Sequence, residues 1–144
     1  SAMSVRRYSP DWRGRYPHMR EVDMPLWNRF LDRYGAEWSA FEYDVRVGPP
    51  SGAARGFDAQ TQAVFAALTR LRIDAVGYRG PEIWLLEVKP FAGISAVGQL
   101  IGYRELFLRE RPEVAGVALG VVTDRFTPAV GEVLASQGIE VWVA

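Results

Sequence analysis

The chain of 144 residues has no cysteine, one histidine and one lysine, and its net charge is zero. Without cysteine there is no disulfide, no thiolate-held zinc or iron–sulfur cluster, and no thiol nucleophile. Its apolar runs are strand-length and broken by charge or glycine, so neither a signal peptide nor a membrane-spanning helix is expected. The expectation is a soluble cytoplasmic protein with no membrane partner. Zero net charge means that composition alone does not announce a nucleic-acid binder. No glycine-rich phosphate loop follows the first strand, which weighs against an unrelated α/β ligand-binding domain.

What is present is ordinary for one globular domain: 49% hydrophobic and 24% charged residues, enough chain to bury a core. Ser1 and Ala2, ahead of Met3, read as an expression-tag remnant. Residues 1–22 form a basic aromatic arm, and 23–144 the domain itself. Arg6, Arg7, Arg13, Arg15 and Arg20 are interleaved with Tyr8, Trp12 and Tyr16, against the single acid Asp11 between residues 5 and 20. Such an arm either holds phosphates and stacks bases or packs its aromatics on the domain with the arginines outward.

Hydrophobic periodicity gives the element order. Leu26, Trp27, Phe30, Leu31 and Tyr34 make the stripe of a first helix between Asp23, an N-cap candidate, and Gly35, a stop. Phe41, Tyr43, Val45 and Val47 alternate with Glu42, Asp44 and Arg46, as in a strand with one wet face. A loop over 48–56 precedes a short helix over 59–70 (Val64, Phe65, Leu68). Strands over Arg72–Tyr78 and Glu82–Lys89 flank Gly80-Pro81, a helix covers about 94–110, and Val114–Thr123 reads as a strand buried on both faces. Thr127-Pro128 opens a last helix, Gly138 closes it, and Ile139–Val143 is a final strand. The fold class is α/β, with a mixed central sheet flanked by helices.

The solitary lysine, Lys89, ends the apolar run Ile83-Trp-Leu-Leu-Glu-Val-Lys89, two residues after Glu87 and so on the same strand face. Lysine is a compact, rotatable point charge able to approach one water or one phosphate oxygen. A symmetric turn at Gly80-Pro81 sets Asp74 opposite Glu87, with Cβ atoms roughly 4.5–5.5 Å apart. Two opposed like charges in apolar sequence need a partner. The choices are Lys89 alone or a hard, oxygen-preferring cation together with Lys89, and the second is favoured. On the following helix Gln99 and Tyr103 share a face, flanked by Gly98 and Gly102, which permit close approach of a helix or a substrate backbone.

Asp74, Glu87-Val88-Lys89 and Gln99-Leu-Ile-Gly-Tyr103 together resemble the PD-(D/E)xK nuclease superfamily, and most its RecB-like and lambda-exonuclease-like branch. The element order is similar over roughly residues 23–143, while the specific motifs lie within 72–103. Ile73 stands where the name motif has proline. The resemblance implies a restriction-endonuclease-like core and a magnesium-dependent deoxyribonuclease, with manganese as a substitute, acting in DNA processing, recombination or repair. It implies that Asp74, Glu87 and the Val88 carbonyl hold the metal. Lys89 would orient or help deprotonate a water, Gln99 would position Lys89 or that water, and Tyr103 would contact a phosphate or stack near the scissile nucleotide. Some relatives use an upstream histidine, for which His18 is the one candidate. Others place an acid on the first helix, a part open to Asp23 or Glu21. Arg55 and the arm are candidates for gripping DNA, with a homo-oligomer or partner protein adding affinity. The rivals are a Holliday-junction resolvase of the same superfamily and a non-catalytic DNA-binding or protein-docking module on a nuclease fold.

Overall fold

The computed structural model describes residues 6–49, 56, 58–62 and 71–144. Of the expected helix over 59–70 only residues 59–62 are described, as helix; Val64, Phe65, Leu68 and Arg55 lie outside the described residues. Helix α1 spans Met24–Tyr34 and strand β1 Ala40–Val47. The hairpin strands β2 and β3 span Leu71–Arg79 and Glu82–Ala92. Helix α2 covers Ile94–Glu110, β4 Ala118–Phe126, α3 Pro128–Ser136 and β5 Glu140–Val143. The five strands lie in sequence order, β1 to β3 antiparallel, then β4 and β5 parallel to β3.

Helix α1 covers one face of the sheet, burying Trp27 and Phe30 against Phe41, Tyr43, Leu86 and Val122. Helices α2 and α3 cover the other, where Leu100, Phe107 and Leu134 meet Leu85, Leu119 and Val121. The β3–α2–β4 crossover is the connection that parallel neighbours require. It leaves the carboxyl ends of β3 and β4, with the first residues of α2, at the end of the sheet away from the hairpin turn. At the turn itself Gly80 takes φ +56 ahead of proline's fixed negative φ, the pattern of a tight two-residue hairpin turn.

Two local expectations change. Strand β4 begins at Ala118 rather than Val114 and runs on to Phe126, because parallel pairing carries it alongside β3 from Trp84 to Ala92. Gly35 follows the last residue of α1, as a stop should, with φ −57, and opens a 3-10 turn, Gly35–Glu37. The alternate face of β1 is not wet. Glu42 is 7% exposed and accepts a hydrogen bond from the Tyr78 hydroxyl, while Tyr8 bridges the outer edge of the strand at Phe41. The arm aromatics belong to the packing: Tyr16 and Met19 are buried, and Tyr8 and Trp12 pack against the same cluster.

Candidate active site

The hairpin has the symmetric register, with Ala75 opposite Leu86 and Arg79 opposite Glu82. The ladder stops one pair before Asp74 and Glu87. In a continued ladder Val88 would face Ile73; instead, its N–H donates to Asp74 Oδ2 at 2.9 Å. A strand residue directs its N–H and C=O to the same side of the strand. The Val88 carbonyl therefore leaves β3 on the Asp74 side.

A second interruption lies beside the first. Neither Asp44 nor Asp74 has a partner in the β1–β2 ladder, although the register is the same before and after them. Asp44 has φ +54, and across it the strands change face: Tyr43 and Ala75 pack with α1, Val45, Val47 and Ile73 with α2. A non-glycine residue at positive φ marks local strain, which persists where its surroundings hold it. Together the two breaks open a cavity of about 220 Å³, lined by Asp23, Asp44, Arg72, Asp74, Glu87 and Lys89 among others.

Glu87 is 6% exposed, and its Oε2 is buried without a hydrogen-bond partner. Burial pushes its carboxyl up to about 10, helped by a hydrogen bond to Asp74 and by Asp74's charge, with Lys89 pulling the other way. The protein without a cation therefore keeps a proton between the two acids. A divalent ion meets the same demand. Among the described residues, no three His, Asp or Glu side chains are spaced to cage a cation. Two carboxylates and one carbonyl suit magnesium, which commonly takes one or two carboxylates and completes its shell with water and substrate phosphate.

Asp23 stands at the N-cap of α1 but makes no side-chain cap bond. It is 8% exposed, with Oδ1 buried and unpartnered. Burial raises its pKa, and Arg20, Asp74 and Lys89 act on it in turn. Asp23 is thus an acid of the cavity rather than a cap. Glu21 lies outside, exposed and 3.4 Å from Arg15. His18 reaches the rim, with Nε2 3.5 Å from Asp44 Oδ2 and Nδ1 2.6 Å from an Arg72 nitrogen. Those neighbours, rather than Asp74 or Glu87, hold it.

On α2, Tyr103 is buried and its hydroxyl pKa is raised, first by burial and then by the charges of Glu87 and Asp74. Gln99 Oε1 is buried without a partner. At Gly98 and Gly102 an added Cβ would meet nothing within 4 Å, so no neighbouring helix requires these glycines and the strip beside Gln99 is bare. Asp44 and Arg72 were not singled out by sequence, and Arg20 was named only as one of the arm's cations. The available signal was an aspartate in mid-strand, where that residue is depleted.

No family model matches the sequence, and no curated protein does. Two solved structures are similar. One is the crystal structure of a repair endonuclease from Pyrococcus abyssi, with TM-score 0.53 and 18% identity over 91% of this chain. The other is a protein of unknown function, with TM-score 0.44 and 15% identity, covering 79% of this chain and 52% of that one. The chain spans 49% of the endonuclease's length. The five-stranded mixed sheet with its flanking helices is the restriction-endonuclease-like fold that this repair endonuclease shares.

Proposed function

We propose that the protein is a magnesium-dependent deoxyribonuclease that hydrolyses phosphodiester bonds at the Asp74–Glu87–Lys89 cavity. The observation that carries this reading is the contact between two carboxylates, one buried with an unpartnered oxygen, at the point where the hairpin ladder opens. Fold likeness to a repair endonuclease supports the same reaction class.

Asp74, Glu87 and the Val88 carbonyl would hold magnesium, or manganese in its place. When bound, the ion supplies Lewis-acid activation of water and neutralises charge on the phosphate. The hydrogen bond from Val88 N–H fixes one oxygen of Asp74 and leaves the other for the cavity. Lys89, half-buried beside both acids, would stabilise charge building on the scissile phosphate. Gln99, with its carbonyl oxygen unclaimed, orients the Lys89 ammonium or the attacking water. Tyr103, held as a neutral hydroxyl, donates to a phosphate oxygen. Asp23 adds a third carboxylate to the lining of the cavity.

The test is cleavage of labelled single strands, blunt duplex, nicked circle and four-way junction in magnesium, with Lys89→Ala as control. Cleavage that chelation abolishes, manganese supports and Lys89→Ala lowers by about 100-fold or more is the expected result. Full activity in excess EDTA would overturn the mechanism. Preference for the junction would select the resolvase, and no cleavage of any substrate would leave a binding module.

A further inference from the structure

The cavity occupies the end of the sheet where β3, β4 and β5 finish and where α1 and α2 begin. The surface around it is unusual for a site that handles phosphate alone. The large hydrophobic side chains left exposed among the described residues are Val22, Leu71, Phe91, Ile94 and Val143. Each lies in a segment that starts or ends at this same end: ahead of α1, at the start of β2, at the end of β3, at the start of α2, and at the end of β5. A duplex offers sugars and phosphates to whatever lies outside its grooves, where apolar side chains gain little. Unpaired bases offer π-faces and apolar area.

Phe91 is the one aromatic ring among these five. It follows Lys89 by two residues on β3, roughly 7 Å along the strand, and is 48% exposed. Its cross-strand partner on β4 is Arg125, whose guanidinium lies over the ring at 4.9 Å from the centroid. Arg125 is exposed and pairs with no acid among the described residues. The ring and the cation next to it form a pair that stacks on a base and also attracts its phosphate. The bare strip at Gly98 and Gly102 on α2 leaves room for a strand to pass close to Gln99.

We propose that Phe91 and Arg125 form a stacking platform for an unpaired base next to the scissile phosphate. The substrate class is then single-stranded DNA, or a duplex end frayed into single strand. This rests on the nuclease reading and narrows it. The aromatic ring selects against continuous duplex, whose bases stay stacked on one another, while Lys89 and the acids act on the adjoining phosphate.

The experiment measures binding of a labelled single strand and of the same sequence as blunt duplex, by fluorescence anisotropy. It uses the full chain carrying Asp74→Asn, so that cleavage does not intervene. Adding Phe91→Ala should weaken single-strand binding by about tenfold or more, and Phe91→Leu should weaken it almost as much. Phe91→Trp should restore it, and duplex binding should change less than twofold. Arg125→Ala should fall in the same direction and gives a reading that leaves the ring intact. Equal losses on both substrates, or a Leu variant as good as the parent, would overturn the platform. Cleavage by the otherwise unaltered chain is followed in parallel. Its absence with an intact single-strand preference would sink the nuclease reading alone.

Discussion

Glu87 is the residue on which the proposed chemistry turns, and its protonation is testable without DNA. Its folded-state pKa is raised from 4.5 to about 10 by burial and by Asp74. A carboxyl raised in the folded state means that the native protein binds the extra proton, so metal-free stability falls as pH rises between those two values. Glu87→Gln mimics the protonated form and removes that loss. Metal-free melts at about pH 5 and about pH 9 should therefore nearly coincide for Glu87→Gln and diverge for the parent, with the variant the more stable at the higher pH. The same variant should lose turnover. Because ions displace the shared proton, manganese binding should release protons, which calorimetry in two buffers of different ionisation enthalpy detects. A parent with flat stability across that range would mean that Glu87 is ionised and paired by other means.

The elements show what local sequence conveys and what it does not. A two-residue turn at Gly80-Pro81 pins the register of β2 and β3, and both acids were therefore placed on one hairpin from the sequence. The break in the ladder was not legible, since it depends on Asp74's carboxylate capturing the Val88 N–H, a choice that strand periodicity does not encode. Asp23 read as a cap because its position along the helix is that of a cap. Only the burial of its side chain against the cavity distinguishes the two roles. Packing of the arm's aromatics on the domain was one of two readings that the sequence left open; the choice rests on partners on α1 and β1 that are set by packing over distances a local pattern does not carry. One packing consequence concerns β4, whose Gly120 pairs with Glu140 of the last strand and lies against the Trp142 ring. A Cβ there would lie 2.4 Å from the Trp142 ring and 2.9 Å from Leu86. Gly120→Ala should thus cost about 1–3 kcal/mol by overpacking, measured as a lowered urea midpoint. An unchanged midpoint would mean that β5 shifts freely.

At the scale of the whole molecule, zero net charge means that the proposed grip on nucleic acid would have to come from a local patch. Many cations are already committed: Arg13 to Asp32, Arg15 to Glu21, Arg29 to Asp124, and Arg46 and Arg72 to Asp44. At the cavity end, Arg20, Lys89 and Arg125 form no ion pair within 4.0 Å among the described residues. The arm therefore contributes Arg20 to the site and its aromatics to the core, and deleting it would unfold the domain rather than report on binding. Point substitution is the informative experiment. With three phosphates neutralised, the logarithm of single-strand affinity should fall with the logarithm of salt concentration at a slope of about −2. Arg20→Ala should reduce that slope by about 0.7 and leave the melting temperature within a degree or so, since the side chain is exposed. A much steeper parent slope would require a wider basic surface than these three residues supply, from a second copy or a partner. A slope unaltered by Arg20→Ala would remove the arm from the interface.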